Sequence, residues 1–294
     1  MRKKCSILMV MVMVMVSLFF SQTSAAAAPI RNYLGSWDLN GDGKLEQVFS
    51  YNGNAIEVVN ERNISTTFSI SNPVWELSAV ADTNGKPGAE LIVKAGNHAQ
   101  VIHYAGKYVR EYQITNGPWD VAGTANTNSN EGDEVIVKAG DYVKIIDDRA
   151  NNVREYRMVT NGVWSIGGIA DIDKKPGSEI AVKAGNDLKI IYDSGRRVAT
   201  YPVSVSTQPW KIEGVVDTNG DNGADVVVSK GNYIHIFRNG GAKKDYFIRQ
   251  NGVWNVKTIT DIDGLPGAEV LIDIPNSPQK MITDRIGLIA DVKK

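Results

Sequence analysis

The chain has 294 residues, 43% of them hydrophobic and 22% charged, which is an ordinary globular balance. Its formal charge is −1 and it has no lysine or arginine cluster, which excludes a nucleic-acid surface built on basic charge. The single cysteine, Cys5, precedes the globular part, so disulfides, thiol nucleophiles and cysteine-ligated metals are excluded there.

The first 27 residues read as a secretory signal peptide. "MRKK" is its basic start, "ILMVMVMVMVSLFF" its apolar run and "SQTSAAAA" its small-residue cleavage region, with cleavage expected near Ala26 or Ala27. The run is short for a membrane span, and Cys5 precedes it where a lipoprotein cysteine would follow, so neither membrane insertion nor a lipid anchor is expected. A secreted, extracellular protein of residues 28–294 is therefore predicted.

Those residues repeat one unit six times. Taking Asp38 as position 1, the copies start at Asp38, Asp82, Asn126, Asp171, Asp217 and Asp261, a period of 44 to 46 residues. Position 9 is acidic in each: Glu46, Glu90, Glu134, Glu179, Asp225 and Glu269. Seven residues before position 1 stands Trp75, Trp119, Trp164, Trp210 or Trp254; the first unit has Arg31 there, with Trp37 out of register.

Each unit reads as four strands and no helix. Strand one runs from the Trp to position 1, with small residues near its end (Ala79, Gly123, Gly168, Gly214) that suit a crowded inner strand. Strand two is a near-continuous apolar run, "ELIVKA" or "EVIVKA", as expected of a strand covered on both faces. Strand three alternates, as in "YVKIID", and strand four, as in "VREYQI", is polar enough to be a solvated outer edge. "NGPW" and "NGVW" then turn into the next unit.

Four antiparallel strands in about 45 residues, repeated radially, predict an all-β fold, a six-bladed β-propeller in a single domain. The tail "IGLIADVKK" resembles a strand one but stands at the distance of a strand four, so six whole blades are favoured. A swapped closing strand or a seven-bladed-like arrangement is the alternative.

The loop between strands one and two carries oxygen side chains at positions 1, 3, 5 and 9. It is not an EF-hand: the twelfth position of the fifth copy is Val228, inside a strand, where that loop needs Glu. With D-x-[DN]-x-[DN]-x-x-x-[DE] between its first two strands, the repeat resembles the FG-GAP/VCBS family, which includes the integrin α-subunit propeller. The resemblance covers nearly all of residues 28–294. It implies a propeller with structural Ca²⁺ and a role in adhesion or ligand binding; seven blades are usual in that family, and six are counted here.

The resemblance assigns the metal ligands to Asp38, Asn40, Asp42 and Glu46 in unit one, to Asp217, Asn219, Asp221 and Asp225 in unit five, and to Asn126, Asn128, Asn130 and Glu134 in unit three. Units two, four and six have Lys86, Lys175 and Leu265 at position 5, followed by Pro87, Pro176 and Pro266. Proline cannot take positive φ, and Pro-Gly suits a type II turn. In these units Lys86 and Lys175 are expected to hold the carboxylates together as tethered cations, and unit six is expected to have no cation.

The in-register Trp residues are read as inter-blade core, with Trp37 as the candidate ligand-binding aromatic. His98, His103 and His235 fall at variable positions, mostly toward solvent, and no catalytic arrangement is recognised. The favoured function is a secreted binding module for carbohydrate, a cell-envelope polymer or a surface protein. An extracellular enzyme on polysaccharide or phosphoester, and a structural matrix protein, are the alternatives.

Overall fold

The structure, a computed structural model, describes residues 29–158, 163–203, 209–249 and 253–292. The predicted leader 1–27 and the turn dipeptides 161–162 and 251–252 lie outside them. No helix among the described residues is long and apolar enough to cross a membrane.

Six four-stranded antiparallel sheets form, each keeping chain order from strand one to strand four. They span 31–69, 75–113, 119–157, 164–202, 210–247 and 255–291. Blade two shows the pattern, with strands Trp75–Ala81, Glu90–Ala95, His98–His103 and Tyr108–Gln113. This is an all-β, six-bladed propeller. The last strand, Leu288–Asp291, pairs with Lys280–Thr283 inside blade six, so no strand is swapped between the first and last blades.

The strand-two runs are apolar because neighbouring sheets cover both their faces. Val93 of blade two joins the cluster with Val48, Ile56 and Phe68 of blade one, while Ile92 joins the cluster with Val135 and Val137 of blade three. Strand one carries a register shift in every blade, for example between Ile166 and Gly168. Its small residues have the predicted cause: a Cβ on Gly168 would stand 2.6 Å from Val215 of the next inner strand, and one on Gly214 2.9 Å from Ile259.

Successive blades are joined by one repeated backbone hydrogen bond. The position 8 N–H donates to the preceding blade's position 1 carbonyl: Ala89 to Asp38 (3.0 Å), Asp133 to Asp82 (2.7 Å), Ser178 to Asn126 (2.7 Å), Ala224 to Asp171 (2.7 Å) and Ala268 to Asp217 (2.8 Å). This close approach requires glycine at position 7. A Cβ on Gly88 would lie 2.7 Å from the Leu39 carbonyl oxygen, and Gly88 itself has φ +102°.

Blade one breaks the rule, with Lys44 at position 7 and Arg31 in place of Trp. Among the described residues no junction hydrogen bond or shared apolar cluster ties blade six to blade one. Ile262 at position 2 of blade six is 46% exposed, whereas Leu39 and Ile172 at the same position are 1% exposed. Leu45, at position 8 of blade one, is 61% exposed. Blade one thus departs from the other repeats at positions 7 and 8.

Strand four is the outer edge predicted, but only one of its faces is solvated. Tyr112 and Tyr156 of the two "REY" segments are buried, and Arg110 and Arg154 reach carboxylates of the next blade. The outermost strand has one face against its neighbour, and these residues lie on that face.

Candidate functional site

In all six loops the position 9 carboxylate is buried and accepts the position 2 N–H. The distances are 2.8 Å for Glu46, 2.8 Å for Glu90, 2.7 Å for Glu134, 2.8 Å for Glu179, 3.1 Å for Asp225 and 2.9 Å for Glu269. The recurrent acid therefore closes the loop backbone in every blade, which explains its presence even where position 5 is Lys or Leu.

The loops of blades one and five share one further geometry. Asp38 accepts from Gly41 (2.7 Å) and Gly43 (2.8 Å), and Asp217 from Gly220 (2.7 Å) and Asn222 (2.8 Å). Position 5 N–H donates to position 3, Asp42 to Asn40 at 2.8 Å and Asp221 to Asn219 at 2.9 Å. Gly43 and Asn222 have φ of +82° and +69°, the left-handed backbone expected at position 6. Burial opposes ionisation of Asp38, but its N–H donors, Gly43 foremost, hold its pKa below the usual value. Where Pro stands at position 6, the following Gly88, Gly177 and Gly267 have φ of +102°, +110° and +105°, as a Pro-Gly turn requires.

Blade one brings Asp42 and Glu46 together with Glu61, their oxygens within 4.8 Å of one another. Asn40 Nδ2 also donates to Glu46 at 3.0 Å. Of the predicted ligands this set includes Asp42 and Glu46; Asp38 is turned to its own loop N–H groups, and Lys44 lies 3.5 Å from Glu61. In blade five, Asp221 is met instead by Lys174 of blade four, 2.8 Å away. Blade three holds Asn126, Asn128 and Asn130 beside Glu134, whose pKa is raised first by burial, and Asn128 also donates to Asp147 at 2.9 Å.

Two more carboxylate triads lie in even blades: Asp171, Asp173 and Glu179, and Asp261, Asp263 and Glu269. Lys175 reaches Asp173 at 3.0 Å, as expected of a tethered cation. Two expectations fail here. Lys86 makes no ion pair among the described residues, and the imidazole of His103 stands 3.2 Å from Glu90 instead. Blade six does have a cation, Arg285, 2.9 Å from Asp263, supplied from the turn after strand three.

The sequence reading missed a second polar system at the blade junctions. Asp148, Asp193 and Asp284, each from the turn after strand three, are buried against the preceding blade. Each accepts from a position 2 threonine (Thr83 at 3.0 Å, Thr127 at 2.7 Å, Thr218 at 3.0 Å) and from a strand-four tyrosine (Tyr112, Tyr156, Tyr246). Where position 2 is Leu39 or Ile172, the incoming blade brings Tyr104 or Phe237 to an apolar cluster instead. Threonine at position 2 with tyrosine near position 31 was the available signal. His103 belongs to this system; at 2% exposed it does not face solvent as expected.

The Trp series is largely core. Trp119, Trp164 and Trp210 are 3%, 4% and 5% exposed. Nε1 of Trp75, Trp119, Trp164 and Trp210 donates to the carbonyl of Gly53, Gly96, Gly140 and Gly185 in the preceding blade, at 2.7–2.8 Å. Lys138 and Lys183 lie over the Trp164 and Trp210 rings, 4.9 and 5.0 Å from the centroids. Trp37 is half-buried over Gly35 and packs on the core between blades one and two.

The fifth junction departs from the series. Trp254 makes no bond to the Gly231 carbonyl among the described residues, and Lys230 turns to the Val203 carbonyl at 2.8 Å. A cleft of about 420 Å³ opens there, lined among others by Trp254, Lys211, Glu213, Ser229, Lys230 and Asn255. Glu213 is held by Ser229 (2.6 Å) and Lys211 (2.7 Å). An indole beside charged and amide groups combines a flat apolar surface with hydrogen-bonding partners.

No protein-family model matches the chain, and no curated protein matches it. Among solved structures it is similar to an Agrocybe aegerita lectin that recognises non-reducing terminal N-acetylglucosamine, at 17% identity and TM-score 0.46, covering 90% of this chain and 79% of that one. It is similar to virginiamycin B lyase from Staphylococcus aureus at 14% identity and TM-score 0.45, covering 90% and 87%. It is also similar to the WD40 domain of SCAP from fission yeast at 9% identity and TM-score 0.45, covering 90% and 76%. At these identities the likeness concerns the propeller fold alone.

Proposed function

We propose that the chain is a secreted propeller of FG-GAP/VCBS-type repeats that binds carbohydrate in the cleft between blades five and six. The observation that supports this reading is that Trp254, half-buried on the core between blades five and six and bordering the cleft, lacks among the described residues the carbonyl bond that fastens the other four in-register tryptophans. Its exposed part can stack on the apolar face of a sugar ring, with Lys211, Glu213 and Asn255 at hand for its hydroxyls. Calcium plays a structural part in this reading. Asp38, Asn40, Asp42 and Glu46 of blade one would hold it first, with blades five and three as weaker sites, and the bound ion fastens the loop against fraying.

The test is a glycan array that includes cell-envelope polysaccharides, run with residues 28–294 with and without calcium. Retention of a defined glycan, lost in Trp254→Ala, is expected. Absence of any retained glycan alongside capture of a surface protein would overturn the carbohydrate reading.

A further inference from the structure

Of the three buried inter-blade aspartates, two are met by cations that stay charged at all ordinary pH values. Asp193 is held by Arg154 (2.6 Å), and Asp284 by Arg238 (2.6 Å) and Lys244 (3.4 Å). Asp148 differs. Its Oδ2 lies 3.0 Å from Nε2 of His103, whose Nδ1 lies 3.2 Å from Oε1 of Glu90. The imidazole thus stands between a carboxylate of its own blade and one of the next, bonded through Nδ1 to Glu90 while Nε2 is close to Asp148 without an aligned hydrogen bond, buried beneath Tyr108, which stacks on it with centroids 4.2 Å apart.

We propose that the junction between blades two and three is a pH-operated clasp, closed by protonated His103 between Glu90 and Asp148 and loosened when that proton leaves. The imidazolium places a positive charge between both carboxylates, 3.2 Å from Glu90 and 3.0 Å from Asp148; the neutral ring keeps one N–H and no charge. The surrounding groups do not replace the lost charge. From the loop, the Thr83 hydroxyl lies 3.1 Å from Glu90 and 3.0 Å from Asp148 and gives its one proton to either, and Asn84 donates to Glu90 and lies 3.3 Å from Nδ1. From strand four, Tyr112 donates to Asp148 at 2.7 Å, and Arg110 bonds its carbonyl and lies 3.4 Å from its Oδ1. With His103 charged, two carboxylates face two cations; without it, one buried negative charge is uncompensated.

Burial opposes the charge on His103, yet the bonds to Asp148 and then Glu90 hold its pKa above the ordinary 6.5. The stabilisation is therefore complete below that ordinary value and is lost as pH rises through the higher folded value.

The test is performed on the wild-type chain and on His103→Gln. Proton NMR of the imidazole, assigned through His98→Gln and His235→Gln, is expected to show His103 titrating above about 6.5. Hydrogen exchange corrected for intrinsic rate is expected to show protection of residues 98–103 falling as pH passes that midpoint, about tenfold for each unit by which the midpoint is raised. Protection of residues 280–283, in blade six, is expected to be unchanged. His103→Gln should lack this pH-dependent loss. A His103 midpoint at or below the ordinary value, or equal protection of residues 98–103 on both sides of it, overturns the proposal even if the glutamine variant does not fold.

Discussion

Glu179→Gln is expected to stabilise the protein in mild alkali and to do nothing in acid. Glu179 is 2% exposed and shares its loop with Asp171 and Asp173. Burial first, and then the Asp173 and Asp171 charges, push its pKa up to about 7 from the ordinary 4.5, against the Ile172 and Asp173 N–H donors. The folded state therefore favours the protonated acid. That contribution is present below 4.5 and lost as pH rises through about 7. At about 1.4 kcal/mol per pH unit between the two values, roughly 3 kcal/mol separates the extremes. Glutamine keeps an oxygen for the Ile172 N–H and adds a donor toward Asp173 without the charge. Denaturant unfolding of both proteins at about pH 4 and about pH 8 should give equal stability at the first and a gain of about 3 kcal/mol for the variant at the second. An offset identical at both pH values would mean that Glu179 ionises alike folded and unfolded, and would refute this account of the loop.

Trp164→Ala should cost about 3–5 kcal/mol by thermal or denaturant unfolding, as for other buried aromatics. Tyr156→Phe removes a hydroxyl that donates to buried Asp193 at 2.6 Å and should cost about 1.5–3 kcal/mol in the same assay, the range for a hydrogen bond to a charged group. Calcium should raise the melting temperature by binding the folded state alone. Asp42→Asn should lower the number of ions counted by calorimetric titration by one; an unchanged count would move the metal away from blade one.

The blade architecture was legible because it is local. The period of the repeat, the doubly covered strand two and the small inner-strand residues are each fixed by neighbours within one unit or the next. The loop backbones of blades one and five were legible for the same reason, since Gly43 and Asn222 report φ directly. What escaped was chemistry across junctions. Asp148 and Thr83 are 65 residues apart, and only docking of the blades shows that they meet. His103, Arg110 and Tyr112 looked solvent-facing because strand alternation does not say which face the next blade covers. Arg285 was missed as the cation of blade six because it comes from outside the loop. The departure of blade one did leave a trace, Lys44 where the other blades have glycine, which gains its meaning from the backbone contact that glycine permits.

The central claim is that the cleft at the fifth junction binds a sugar through Trp254. The most direct measurement is equilibrium binding of the glycan recovered from the array to wild type, Trp254→Ala and Trp164→Ala, with unfolding measured on the same samples. The account predicts that Trp254→Ala weakens binding about tenfold or more, about 1.4 kcal/mol, with a smaller loss of stability than Trp164→Ala. Unchanged affinity in Trp254→Ala, or a loss of binding that merely tracks unfolding in both variants, would contradict it.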